Sequence, residues 1–149
     1  MEMTATEMTT SEWDIMRIIW TLGKASSNDV IKAIQQEKDW TESTIKTLLR
    51  RLVTKDALAT DRDGRRFIYT PKIDERKAMS ETAEDLFSRM CNMRKGSVIT
   101  ELIESSPLSK ADIMAMQELL AEKMKTAPDM VECNCMPGME NGSDCCKMD

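Results

Sequence analysis

Four of the five cysteines of this 149-residue chain fall in its last 17 residues, at Cys133, Cys135, Cys145 and Cys146, and the chain contains no histidine. Cys133-Asn134-Cys135 places two thiols one residue apart. Cys145-Cys146 supplies two more after a nine-residue spacer whose Pro137, Gly138 and Gly142 let the loop fold back. Four thiolates suit tetrahedral Zn(II), with Zn–S distances of about 2.3 Å. They also suit Cu(I), a soft ion that prefers thiolate. The thioethers of Met136, Met139 and Met148 could add contacts, although methionines in such a tail are ordinarily incidental. The plain alternative is a cysteine-bearing end that oxidises or collects adventitious metal. Clustering of this kind reads as metal binding or redox chemistry before disulfides when the compartment is reducing. Met1 to Thr10 carries Glu2 and Glu7 and no basic cluster ahead of an apolar run, so no secretory signal is expected there. No apolar run approaches the roughly 20 residues of a membrane span. The expected compartment is the cytoplasm, with no membrane partner.

A second group of residues could do chemistry of another kind. The formal net charge is −5, yet residues 41–72 hold eight Lys and Arg against four Asp and Glu. The acidic excess lies on either side of that block. Phosphate contact depends on charge at the interface and not on the sum over the chain. Within the block, Ser43, Thr44, Lys46, Thr47, Arg50 and Arg51 alternate with Ile45, Leu48, Leu49, Leu52 and Val53, and Arg62, Arg65 and Arg66 cluster around Asp63-Gly64. Arginine pairs bidentately with guanine, and Ser and Thr reach phosphates or base edges. Cations on the outer side of a core helix are usually only a solvated face. Their bunching beside a hairpin in an otherwise acidic chain favours nucleic acid.

These side chains need elements to position them. Thr10 or Ser11 can cap a first helix whose apolar residues are Trp13, Met16, Ile19 and Trp20, stopped at Leu22-Gly23. Ser26 or Ser27 caps a second, with Val30, Ile31 and Ile34 inward. Thr41 or Ser43 starts a third, whose apolar positions fall at i, i+3, i+4, i+7 and i+8 from Ile45. Leu58 to Asp61 and Phe67 to Thr70 read as two short strands joined through Asp63-Gly64, a hairpin dipeptide because the turn needs positive φ. Three helices and a hairpin make a winged helix-turn-helix, with the third helix for the major groove and the wing along the backbone. The spacing then predicts one long helix from about Asp74 to Lys95, ended by Gly96, with Cys91 inside it as a packing residue. A shorter helix is expected over Val98 to Ile103. Another opens at Pro107-Leu108-Ser109 and carries Ile113, Met116, Leu119, Leu120 and Met124 on one stripe, with Pro128 beyond it. The fold class is therefore mainly α with a small β-hairpin wing. It divides into a DNA-binding domain at 1–72, a helical dimerisation segment at 73–128 and a cysteine-rich flexible tail at 129–149. The later helices present more apolar stripe than they can bury alone, so a homodimer is expected. A helical cap on the chain's own winged helix is the alternative.

Three blocks carry a family resemblance: Ser11-Glu12-Trp13-Asp14-Ile15-Met16-Arg17-Ile18-Ile19-Trp20, Thr44-Ile45-Lys46-Thr47-Leu48-Leu49-Arg50-Arg51-Leu52 and Gly64-Arg65-Arg66-Phe67-Ile68-Tyr69. In this order they resemble the penicillinase-repressor (BlaI/MecI) winged-helix family, over nearly the whole chain. The tail resembles its copper-responsive CopY branch, patterned Cys-x-Cys, four residues, Cys-x-Cys. Cys133-Asn134-Cys135 matches the first half. Cys145-Cys146 departs from the second, being adjacent and further away, and adjacent cysteines do not easily chelate one ion together. The resemblance implies a dimer that binds an inverted-repeat operator in double-stranded DNA through Ser43, Thr44, Lys46, Thr47, Arg50, Arg65 and Arg66. It implies Cys133, Cys135, Cys145 and Cys146 as metal ligands, Cu(I) displacing Zn(II) and lowering operator affinity, and genes for copper export as the regulated set. A copper chaperone is a candidate partner.

Two rivals compete with this reading. Penicillinase repressors are inactivated by cleavage between Asn and Phe in the dimerisation region; here that stretch reads Ile99-Thr100-Glu101-Leu102-Ile103, with no such pair. A metal-buffering protein or metallochaperone would use the tail alone and leave the basic block unexplained. An enzyme is not expected, since there is no histidine, no nucleophile motif and no glycine-rich phosphate loop.

Overall fold

The first helix, α1 (Thr10–Leu22), is capped one residue before Thr10 and two before Ser11, the expected caps: Thr9 holds the N-cap, and its hydroxyl accepts from the Glu12 amide at 3.2 Å. Gly23, at φ +82°, closes it in a conformation that a side chain would strain. α2 (Ser27–Gln35) is capped by Ser26, whose hydroxyl accepts from the Asp29 amide while the Asp29 carboxylate accepts from the Ser26 amide. That reciprocal box satisfies two amides a bare helix start leaves without partners. α3 (Glu42–Thr54) is capped by Thr41. The computed structural model describes residues 7–136 in this way.

The three helices turn one apolar face each into a common core. Ile15, Met16 and Ile19 from α1 meet Val30, Ile31 and Ile34 from α2 and Ile45, Leu48, Leu49 and Leu52 from α3, with Ala57 and Leu58 closing the layer. Full burial of side chains of this size contributes roughly 1.5–3 kcal/mol each. Trp20 lies at the edge of the core, edge-on to Trp13 with ring centroids 5.4 Å apart, and its indole N–H donates to the Ile73 carbonyl at 2.8 Å. One charge is buried here. Glu12 is 1% exposed, and Lys55 Nζ donates to both of its carboxylate oxygens at 2.9 Å and to the Glu7 carbonyl at 3.1 Å. The pair joins the start of α1 to the end of α3.

The expected strands are real and longer, β2 (Leu58–Asp63) and β3 (Arg66–Pro71), paired antiparallel from Leu58↔Pro71 to Asp63↔Arg66. The connection is the two residues Gly64 and Arg65, with positive φ at Gly64. A third strand was not expected: β1 (Ala25–Ser26) pairs with β3 at Ala25↔Tyr69 and Ser26↔Ile68, giving the order β1-β3-β2. Two residues carry no periodicity, and pairing with the wing alone makes them a strand.

The chain forms two compact units, Met1–Asp85 and Leu86–Asp149. The single long helix expected after residue 74 is instead two, α4 (Glu75–Ser88) and α5 (Asn92–Ser105), and Gly96 lies inside α5 instead of ending a helix. The break has a local cause. The amides of Arg89 and Met90 fall back on carbonyls three residues earlier, tightening the last turn, and Cys91 is extended at φ −61°, ψ 130° as N-cap of α5. The shorter helix expected over Val98 to Ile103 is absorbed into α5. Ser109 caps α6 (Lys110–Met124) with a second capping box to Asp112. Neither α5 nor α6 buries a residue, and Leu102, Ile103, Ile113, Met114, Leu119, Leu120 and Met124 are all exposed. Among the described residues no helix is long and apolar enough to cross a membrane.

Candidate nucleic-acid interface and thiol cluster

α3 separates its two faces cleanly. Ile45, Leu49 and Leu52 are fully buried, whereas Ser43, Thr44, Lys46, Thr47, Arg50 and Arg51 are exposed. The helix start is fixed by Thr41, whose hydroxyl accepts from the Thr44 amide at 3.2 Å and donates to Thr44 Oγ1 at 3.0 Å. Thr44 therefore keeps its own hydroxyl proton to offer outward. Thr47 donates to the Ser43 carbonyl at 2.9 Å and presents only acceptor lone pairs. Glu42, Ser43, Lys46, Thr47 and Arg50 line one shallow concavity. A second cleft is shared between helix and wing: Lys46, Arg50 and Val53 from α3, Thr60 from β2, Arg65 from the turn, Phe67 and Tyr69 from β3, and Ser27 at the start of α2. The recognition-helix cations and the wing thus open on one cleft.

Electrostatics in the cleft follow from these neighbours. Burial pushes the Tyr69 phenol above its ordinary value, and the positive charge of Arg50 opposes that shift. Arg62 lies over the Phe67 ring, 5.5 Å from its centroid, a cation–π contact between paired residues of β2 and β3. Two of the candidate cations have exposed carboxylate neighbours: Lys46 Nζ lies 3.9 Å from Glu42, and Arg66 lies 3.7 Å from Asp63. Exposed pairs of that length are worth little, so phosphate can compete for the cations. All seven sequence-predicted residues of this face are exposed, with Arg65 at the turn and Arg66 opening β3. Ser27, Thr60 and Tyr69 join the cleft without having been expected, because strand pairing brings them there.

The tail holds the second constellation. The sulfurs of Cys91, Cys133 and Cys135 all lie within 4.8 Å of one another, with Cys91 Sγ to Cys133 Sγ at 3.6 Å. That separation is far beyond a disulfide bond of about 2.05 Å. The Cys135 amide donates to Cys133 Sγ at 3.4 Å, and Asn134 Oδ1 accepts from the Asn92 amide at 2.9 Å. Asn134 therefore supplies the side-chain cap of α5 from 42 residues away. The expectation for Cys91 is corrected here: it is only partly buried, at the break between helices, and belongs to the cysteine cluster. Cys145 and Cys146, like Met139 and Met148, lie outside the described residues. As a donor set, clustered thiols fit soft or borderline d10 cations such as copper(I) and zinc(II).

Comparison with known proteins places these features in a family context. The family model described as penicillinase repressor matches residues 8–122. A 16.5 kDa uncharacterised protein encoded in the ptsI 3′ region of Latilactobacillus sakei is 47% identical over 139 residues, 93% of each chain. The penicillinase repressor of Bacillus licheniformis is 31% identical over 116 residues, 78% of this chain and 91% of that one. Among solved structures, the DNA binding domain of the repressor BlaI is 37% identical, with a TM-score of 0.46 over 49% of this chain and 89% of that one.

Proposed function

We propose that this chain, a DNA-binding transcriptional repressor that belongs to the penicillinase repressor family, binds its operator as a homodimer and leaves it when copper(I), in place of zinc(II), occupies its C-terminal cysteines. The observation that carries the metal reading is the convergence of Cys133 and Cys135 in a cluster of three sulfurs within 4.8 Å. Two of its three sulfurs lie beyond residue 122, where the match to the family model ends, so the metal reading rests on the tail and not on the matched repressor body.

On DNA, the exposed face of α3 enters the major groove, with Lys46 and Arg50 reaching base edges or phosphates and Ser43, Thr44 and Thr47 supplying shorter polar contacts. Arg65 and Arg66 meet the backbone from the wing. The second copy packs against the apolar residues of α5 and α6, which a lone chain leaves in water. A two-fold pair of winged helices reads an inverted repeat. A bound thiophilic cation supplies crosslinking between thiolates. The chain's own residues must convert that into lower operator affinity, and each tenfold change takes about 1.4 kcal/mol of differential binding between the two conformations.

The test is operator binding by anisotropy with apo, zinc-loaded and copper(I)-loaded protein under reducing conditions. Wild type is expected to release DNA with copper(I), and a variant with Cys133, Cys135, Cys145 and Cys146 changed to serine to hold it. Equal release of the two proteins would sink the metal reading.

A further inference from the structure

We propose that Cys91 is a third metal-ligating residue, so that cation uptake by Cys91, Cys133 and Cys135 clamps the tail onto the first turn of α5; this rests on the tail's reading as a metal site. The sulfur geometry is the first support. A cation held at about 2.3 Å from each thiolate sets the sulfurs about 3.8 Å apart in tetrahedral coordination and about 4.0 Å apart in trigonal coordination. The observed Cys91–Cys133 separation is 3.6 Å, and no pair in the cluster exceeds 4.8 Å. Small shifts of these side chains, of which Cys135 is exposed and Cys91 and Cys133 are partly buried, complete the site.

Three further observations bear on the same point. The Cys135 amide donates to the Cys133 sulfur at 3.4 Å, closing the Cys-x-Cys turn around that sulfur. Cys91 stands at the N-cap of the 14-residue α5, so its sulfur is held at a fixed point on that helix. Asn134, the residue between the two tail cysteines, accepts from the Asn92 amide. That bond fixes the register of Cys133-Asn134-Cys135 against α5, so the three sulfurs converge through a built contact and not through sequence proximity.

The consequence is a route for the signal. A Cys-x-Cys pair alone could bind a cation anywhere the tail wanders. With Cys91 included, the same cation closes a loop of 42 residues onto α5, the helix that carries exposed Leu102 and Ile103.

Cobalt(II) titration of the full chain in the absence of oxygen tests this, because sulfur-to-cobalt charge-transfer absorption scales with the number of thiolate bonds. Cys91→Ser is expected to lose about one third of the absorption of a three-thiolate site. It should also weaken cobalt binding by at least the roughly 10–100-fold that loss of an outer-shell partner costs. Absorption and affinity equal to wild type would overturn the role of Cys91. The paired variant Cys133→Ser/Cys135→Ser separates that failure from failure of the tail reading, since only the latter leaves this variant unchanged as well. A second measurement needs no substitution: alkylation mapped by mass spectrometry in wild type with and without copper(I). Protection of Cys91 together with Cys133 and Cys135 supports the site. Alkylation of Cys91 at the same rate with and without the cation overturns it.

Discussion

Arg65 offers the sharpest test of the proposed wing contact, because it stands at the hairpin turn, is exposed, and opens on the same cleft as Lys46 and Arg50. Arg65→Ala leaves the turn intact, since the positive φ falls on Gly64. Any loss of operator binding should therefore be electrostatic. Each phosphate contact contributes a slope of about −0.9 to log K against log salt. One lost contact weakens binding about 8-fold at 0.1 M salt and about 4-fold at 0.2 M, and a symmetric dimer squares these to about 60-fold and about 18-fold. The assay is anisotropy of a labelled operator at four or five salt concentrations, run in parallel on a scrambled duplex. Slopes should differ by about 1.8 between wild type and Arg65→Ala, with the same difference on both duplexes, because phosphates carry no sequence. Parallel salt plots would refute the contact, whatever the absolute affinities.

Other expectations follow from the same structure. Lys55→Met leaves the Glu12 carboxylate, 1% exposed, without its cation; urea unfolding should show a loss of about 2–3 kcal/mol, below the roughly 3–5 of a fully buried pair because Lys55 is itself 34% exposed. Adding Glu12→Gln should recover part of that loss, and no recovery would show that the pair's packing and not its charge matters. Leu120→Glu on α6, where Leu120 is 58% exposed, should raise the dimer dissociation constant about 100-fold by sedimentation, from roughly 1.5 kcal/mol lost in each copy; an unchanged mass would place the dimer contact elsewhere. The Asp29 carboxylate is held below its ordinary range by the Ser26 amide and hydroxyl. Its folded pKa is depressed, so its contribution is complete above the unfolded value of about 3.9 and fades as pH falls through the folded one. The stability gap between wild type and Asp29→Asn should close in that acid window, and a gap constant with pH would refute the capping role.

What could be read from the sequence was what local rules decide. α3 announced itself because Ile45, Leu48, Leu49 and Leu52 repeat at helical spacing, which at once exposes Lys46, Thr47 and Arg50. The wing was legible from Gly64, whose turn geometry is a property of one residue. β1 was not, because Ala25 and Ser26 become a strand only by pairing with Ile68 and Tyr69. Nor was the Glu12–Lys55 pair, whose members lie 43 residues apart. The break after Ser88 misled in part for the same reason, because a distant cap joins the local tightening at Arg89 and Met90. The apolar pattern runs smoothly through Met90, while the residue that caps the new helix, Asn134, is supplied from the tail.

That cap also bears on how a cation could act. Closing a loop of 42 residues costs about 3–4 kcal/mol of chain entropy. The Asn134–Asn92 hydrogen bond contributes only about 0.5–1.5 kcal/mol against it. The bond sets where the tail docks but is too weak to keep it there alone. Thiolate bonds to a shared cation are several times stronger than the deficit, with structural zinc sites worth about 10–16 kcal/mol. On the proposed metal reading, a cation shared by Cys91, Cys133 and Cys135 would strengthen docking of Cys133-Asn134-Cys135 on α5 beyond what this bond contributes. The 1.4 kcal/mol or so that separates tenfold different operator affinities is a small part of what such docking redistributes.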